Sequence, residues 1–282
     1  MSGKWADLHT HSRHSDGVEN PAEIVRVAAE MGMSCLSLTD HDTCAGYPEM
    51  FEAGEKYGVE IIPGIEVSAH SGEKSVHVLG YFMDMESDDF KKLVSLNAEG
   101  RVSRMARMVE KLVALGYKVT LDDILGFTGE ATVGRAQLAR YLVKLGYFKT
   151  VEEVFEKLLG DGGSVYEPVP KFTPEEAIAI IKSAGGVSSL AHPGHTGMDD
   201  DIGHLAAEGL DGIEAYSPQH DNRTVEKYLA MAEEFNLLVT GGSDSHGHGR
   251  HGRSMGSVRL SYGRVEKLKE RAALSATAAR HI

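Results

Sequence analysis

Nine histidines and acidic residues recur along this chain, nearly all at the ends of short apolar runs, and any fold must bring those ends together. The series opens with Asp7-Leu8-His9-Thr10-His11 and Ser15-Asp16-Gly17. It continues through Thr39-Asp40-His41-Asp42, Gly64-Ile65-Glu66-Val67-Ser68 and His77-Val78-Leu79-Gly80. Ala191-His192-Pro193 and Gly242-Ser243-Asp244-Ser245-His246 close it. Imidazole and carboxylate suit zinc, manganese or iron, and one mononuclear site takes three or four donors. Nine imply two or three divalent ions sharing bridging ligands. A multinuclear centre assembled from separate strand ends is the equipment of a hydrolase.

The runs themselves specify the architecture. Strands are expected at about 5–9, 35–39, 60–66, 76–82, 187–191, 212–216 and 237–241, seven in all. Short and apolar, with polar or small residues at their C-terminal ends, they read as buried parallel strands. Helical patterns alternate with them, which makes this an α/β chain of βα units, a parallel sheet or a barrel. Asn20-Pro21 marks a helix start before 21–31, and Thr173-Pro174-Glu175-Glu176 repeats that signal before 177–184, with Gly185-Gly186 as the stop. Only about 69–75 separates the third and fourth strands, so they form a hairpin that turns near Ser71-Gly72.

The stretch 88–166 carries no ligand-type motif and keeps a helical spacing of apolar residues, among them Leu93, Met105, Met108 and Leu112. Further helices are expected at 135–145 and 151–159. Residues 1–87 and 167–282 then form a metal-binding barrel, and 88–166 a helical insertion over its C-terminal mouth. Met105 and Met108 belong to that insertion's core. A last helix occupies the tail from 265.

Composition removes several classes. The 282 residues, 41% hydrophobic, can bury a large core. No apolar run approaches the roughly 20 residues of a membrane span, and the motifs begin at once, leaving no room for a signal peptide; a cytoplasmic protein is expected. Two cysteines, Cys35 and Cys44, fit buried thiols in a reducing compartment. A formal charge of −13 argues against a duplex nucleic-acid face. An anionic substrate would need a local positive pocket, which divalent ions supply.

Spacing explains the pairs. Residues i and i+2 of a strand point the same way, so His9 and His11 can reach one ion, and Asp244 and His246 repeat that geometry from the far end of the chain. In barrels the strands' C-terminal ends converge on one mouth. Six of the fourteen histidines thus fall in ligand positions. Of the others, His70, His204, His220 and His281 read as solvent-exposed. His248 and His251 lie in a Gly-rich loop beyond the last ligand, and His14 and His195 flank ligands where a proton donor or substrate contact could sit.

These motifs together resemble the PHP (polymerase and histidinol phosphatase) phosphoesterases, over residues 6–83 and 171–247. The resemblance implies a distorted (β/α)7 barrel with a trinuclear metal site. It makes His9, His11, Glu66 and Asp244 ligands of a first ion. Glu66, His77 and His192 would hold a second, and Asp16, His41 and His246 a third. An aspartate at position 16 is similar to the subgroup acting on 3′,5′-nucleoside bisphosphates or trimming 5′-phosphorylated oligonucleotides. Gly134-Arg135-Ala136-Gln137 resembles a segment usually reading Gly-Arg-Pro-His; Arg135 remains as a phosphate-binding arginine, while Gln137 replaces the histidine. Lys171 matches a second basic position facing substrate.

The implied activity is hydrolysis of a phosphomonoester, small nucleotide or short oligonucleotide, by hydroxide bridging two ions that lower the pKa of water to about 7. No Ser-His-Asp arrangement or Gly-rich phosphate loop competes with it. A C–N hydrolase of the amidohydrolase type also opens with His-x-His, but Asp16, His41 and the Asp244-x-His246 pair would be surplus to it. A non-catalytic metal-binding module would not need all nine.

Overall fold

The computed structural model of the protein describes residues 3–72, 74–129, 131–160, 162–167, 172–247 and 254–279. Eight strands form one sheet, in the order β7-β6-β5-β4-β3-β2-β1-β8. They are β1 (Trp5–Asp7), β2 (Cys35–Leu38), β3 (Glu60–Ser71), β4 (Lys74–Tyr81), β5 (Val187–Leu190), β6 (Gly212–Tyr216), β7 (Leu238–Gly241) and β8 (Leu260–Ser261). Pairing is parallel from β1 through β3 and from β5 through β7. The expected hairpin is present, with β3 antiparallel to β4, and β4 is also antiparallel to β5.

The sheet curls nearly shut beyond its named strands. The Leu8 amide donates to the Gly241 carbonyl over 3.2 Å, and the Asp244 amide to the His9 carbonyl over 2.8 Å. Gly242 permits that seam: a Cβ there would lie 2.3 Å from the His9 nitrogen. The seven expected strands are all present. The eighth, β8, runs antiparallel to β1 at the edge and is two residues long, too short to show a period in sequence.

A second difference concerns Glu66. It was expected to close β3, but β3 runs on to Ser71. Pairing with β2 stops at Pro63, and from Gly64 onward β3 pairs with β4. Glu66 therefore sits just past the last β2 pair and is still bonded to the segment that follows β2, its amide donating to the Asp40 carbonyl over 3.3 Å and its carbonyl accepting from the Asp42 amide over 3.0 Å. His77 lies within β4, opposite Ser68.

Helices cover the outside. Pro21 starts α1 (Pro21–Glu30), though Asn20 caps it without a side-chain bond, while α7 (Pro174–Ser183) has the full reciprocal capping box of Thr173 and Glu176. α2 (Tyr47–Tyr57) packs beside α1 over β1 and β2. Between β4 and α7 lie α3 (Asp88–Ala114), α4 (Leu121–Thr128), α5 (Arg135–Lys144) and α6 (Val151–Val154), the last running into a wider turn at Phe155–Leu159. α4 escaped the sequence reading because it is eight residues long, contains Gly126 and buries only Ile124. Met105 and Met108 are fully buried in a cluster with Leu112, Leu138 and Leu142 that draws only on residues 105–165.

After β5 come α8 (Pro193–Thr196) and α9 (Ile202–Ala207), and after β6 α10 (Asn222–Glu234). α11 (Tyr262–Ala279) ends the described chain. Both cysteines are free, Cys35 buried and Cys44 half-buried. Among the described residues no helix is long and apolar enough to cross a membrane.

Candidate metal centre

All nine donors meet at one mouth of the sheet. Glu66 is the hub: its Oε2 lies 3.2 Å from His9 Nε2, His11 Nε2 and His41 Nδ1. Its Oε1 lies 2.8 Å from His77 Nδ1 and 3.1 Å from His192 Nε2. Asp244 Oδ1 stands 3.5 Å from His9 Nε2 and 3.2 Å from His11 Nε2. Asp16 faces the other side, with Oδ1 3.1 Å from His246 Nε2 and Oδ2 3.8 Å from His41 Nε2. Three sets could each hold an ion: His9, His11, Glu66 and Asp244; His41, Glu66 and His77; and His11, Asp16, His41 and His246. Compared with the expected grouping, His11 and His41 each belong to two sets, and His192, expected beside Glu66 and His77, falls in none of the three although it lies 3.1 Å from Glu66 Oε1.

The chemistry of the donors fits divalent cations. His9 Nε2, both His11 nitrogens, His41 Nδ1, His77 Nδ1, His192 Nδ1 and Glu66 Oε2 are buried and have no hydrogen-bond partner. Orphaned polar atoms this deep are costly unless something satisfies them. Bonds of ~2.1 Å to a shared ion put two donors about 3–3.5 Å apart, which is the spacing around Glu66 Oε2.

Electrostatics favour the ionised carboxylates. Burial opposes the charge on Glu66 most strongly, yet His41, His77 and His9 together outweigh it and hold the carboxyl well below its usual range. The same contest, burial against His9, His11 and His246, ends the same way for Asp244. At Asp16, burial loses to His246 and His41. Three anionic groups among six imidazoles are set to receive cations.

Local backbone strain marks the same places. Asp42, His192 and Asp244 are non-glycine residues with left-handed φ values of 55°, 28° and 50°. Such conformations cost about 1–3 kcal/mol each and persist where surrounding contacts enforce them. The enforcing contacts are visible. The His192 amide donates to Glu214 Oε2 over 2.9 Å, and the Asp42 carboxylate accepts from the Ser68 amide over 2.8 Å.

Glu214 was absent from the sequence reading. Its other oxygen lies 3.0 Å from His9 Nδ1, so one fully buried carboxylate orients two candidate ligands. A charge within the apolar strand Gly212-Ile213-Glu214-Ala215-Tyr216 was the available signal. Asp40 does comparable work, accepting from the Ser12 amide and from the Ser12 and Ser15 hydroxyls at 2.6–2.7 Å.

A cavity of about 540 Å³ opens over the cluster. Arg135 lines it, donating to the Leu159 carbonyl over 3.1 Å, with its guanidinium 5.4 Å from the Tyr166 ring and 5.8 Å from Phe155. Arg104 lines the same wall, 5.9 Å from Tyr166. Gln137 lines it too, and donates to the Ser15 carbonyl. Of the two flanking histidines, His195 lines the cavity, its ring 6.0 Å from that of His192, and His14 does not.

Two expectations of exposure fail. His70 is on β3, half-buried and lining the cavity, because the strand runs past its expected end at Glu66 up to the turn. His220 is buried beneath Gly194, with Nδ1 2.9 Å from the Ala215 carbonyl and the Gly194 amide donating to Nε2 over 3.3 Å. His204 is exposed as expected, beside Glu175. Lys171, His248, His251 and His281 lie outside the described residues.

The chain is similar to known proteins along most of its length. Residues 7–162 match the model of the PHP domain. The chain is 33% identical to a 3′,5′-nucleoside bisphosphate phosphatase of Chromobacterium violaceum, covering 89% of this chain and 90% of that one. It is 32% identical to a 5′-3′ exoribonuclease of Haemophilus influenzae, over 87% and 91% of the two chains. The crystal structure of a putative metal-dependent phosphoesterase from Bifidobacterium adolescentis superimposes with a TM-score of 0.87 at 32% identity, covering 94% and 96%. With the donor cluster at the mouth of this barrel, the matches establish that the chain belongs to the PHP-domain family of metal-dependent phosphoesterases and hydrolyses phosphoric esters.

Proposed function

We propose that the protein removes a phosphate from a small nucleotide carrying more than one, a 3′,5′-nucleoside bisphosphate, with two to three ions of manganese, zinc or iron held by His9, His11, Asp16, His41, Glu66, His77, His192, Asp244 and His246. The observation that carries this reading is the cavity wall. Two guanidiniums, Arg104 and Arg135, gather at the Tyr166 ring in the same cavity as the nine donors. A phosphate gripped there would leave another free to face the carboxylate and imidazole cluster. Residues 88–166 supply those arginines, which supports treating them as an insertion over the mouth of a barrel made by 1–87 and 167–282.

Bound divalent ions supply Lewis acidity and water of lowered pKa. The chain's own groups position. Glu66 and Asp244 hold negative charge at the hub. Arg135, with a planar donor fork, orients the phosphate not being cleaved. His195, in the cavity lining, is better placed than His14 to give a proton to the departing oxygen. Lys171 remains a candidate substrate contact by resemblance.

A phosphate-release screen with manganese tests the reading. Higher kcat/KM on a 3′,5′-bisphosphate than on the matching monophosphates is expected. A preference for 5′-phosphorylated oligonucleotides would transfer the assignment to the activity named for the Haemophilus relative. Equal turnover of every phosphomonoester, aryl phosphates included, would remove the nucleotide from the proposal.

A further inference from the structure

Asp16 stands on a loop, and the insertion grips that loop by its backbone. The Thr132 amide donates to the His14 carbonyl over 2.8 Å. Gln137 donates to the Ser15 carbonyl, and Arg140 to the Asp16 carbonyl and, over 3.3 Å, to that of Gly17. Four consecutive carbonyls, from 14 to 17, are thus taken by Thr132, just before α5, and by Gln137 and Arg140 on it.

A similar attachment reaches the segment of His41. Asn97 Nδ2 and Arg101 Nε, both on α3, donate to the Asp42 carboxylate over 2.7 and 2.6 Å. Arg101 also donates to Ser68 Oγ over 2.7 Å. Asp16 and His41 belong to the same set of donors, with His11 and His246.

We propose that the insertion sets the affinity of this outer metal position by fixing the 14–17 loop through Gln137 and Arg140. The proposal rests on the reading of Asp16, His41 and His246 as metal ligands, and not on the identity of the substrate. Its physical basis is preorganisation: a ligand on an untethered loop must be ordered when the ion binds, and losing the partners that orient a ligand costs about 10–100-fold in affinity. Gln137 and Arg140 are positioning residues, since neither offers a donor atom to the cluster.

The test is a manganese titration by calorimetry of chelator-treated full-length protein, with no substrate present. In the double variant Gln137→Ala/Arg140→Met, one ion per chain is expected to bind about 10–100-fold more weakly, with the remainder unchanged. Excess manganese should restore turnover, and the unfolding midpoint of the metal-free protein should stay at the wild-type value. Arg140→Lys, which keeps a donor, should lose less. A titration indistinguishable from wild type would overturn the proposal. Equal weakening of every ion with a lowered metal-free midpoint would also overturn it, since the contacts would then serve the fold as a whole. If the wild-type protein itself takes one ion or none, the ligand assignment fails along with it.

Discussion

Two sets of donors share His11 and rest on different supports. His9, His11, Glu66 and Asp244 are all buried, and the segments that carry them are stitched into the sheet, the Asp244 amide to the His9 carbonyl and the His11 amide to the Ser245 carbonyl. In the other set, the Asp16 and His41 side chains are 22% and 14% exposed, against 1% for Glu66. Asp16 has no strand beneath it, and its loop is held from outside by Gln137 and Arg140. A sheet fixes donors by register; a donor on a loop needs a partner from another element. The inner set should therefore tolerate changes in residues 132–140, and the outer set should not.

The largest effect is expected where the sets meet. Glu66 presents its two oxygens to five imidazoles, so Glu66→Gln removes the central charge and replaces one ligating oxygen by an amide NH2 that cannot hold a cation. Turnover should fall at least about a hundredfold while the circular dichroism spectrum is retained. Asp244→Asn should do the same for the inner set. Near-normal phosphate release by either variant would take that residue out of the centre. Elemental analysis of the wild type, at two to three ions per chain, fixes the baseline for both.

A smaller effect, confined to one side, is expected at Glu214. Its carboxylate touches His9 and the His192 amide and nothing of the outer set. Glu214→Gln keeps the shape and loses the charge, so the inner ion should weaken about 10–100-fold with the outer affinity preserved. That is the mirror of the result expected for the α5 double variant. If manganese titration shows both positions weakened alike by Glu214→Gln, the two supports are not separable and the comparison collapses.

The sequence carried more of the inner arrangement than of its supports. Strand ends are legible because buried parallel strands are short apolar runs, and a candidate ligand at such an end stands out, as His192 does after Val187-Ser188-Ser189-Leu190. Glu66 is singled out as a strand end, but β3 runs on to Ser71, because the place where a strand changes partners leaves no compositional trace. The supports were harder. Glu214 looks like a stray charge in a strand, and the Arg101 and Asp42 pair joins residues 59 apart in sequence, with no periodicity to announce it. Gln137 could be seen only as a departure from a resembling motif; that it holds a carbonyl 122 residues away is a property of how α5 packs against the 14–17 loop. His220 was misjudged because α8 and Gly194 bury it through tertiary packing alone.

The smallest effect expected is at Arg135, which the insertion presents to the cavity, and there the readout is a ratio between substrates. Its guanidinium is already engaged by the Leu159 carbonyl and lies near the rings of Tyr166 and Phe155. Those contacts preorganise the fork, and they also mean that a bound phosphate gains only part of its donors. Arg135→Ala should therefore cost the low end of a charged hydrogen bond, about 1.5 kcal/mol or roughly tenfold in kcat/KM, on a 3′,5′-bisphosphate. An aryl monophosphate, with nothing to offer that wall, should lose little, because remote binding energy positions only a substrate that reaches it. Metal affinity should not change in this variant, in contrast to Gln137→Ala/Arg140→Met two and five residues further along the same helix. Equal losses on both substrates would assign Arg135 to the reacting phosphate or to the packing of Tyr166, and a lowered manganese affinity would make all of α5 a support for the outer ion.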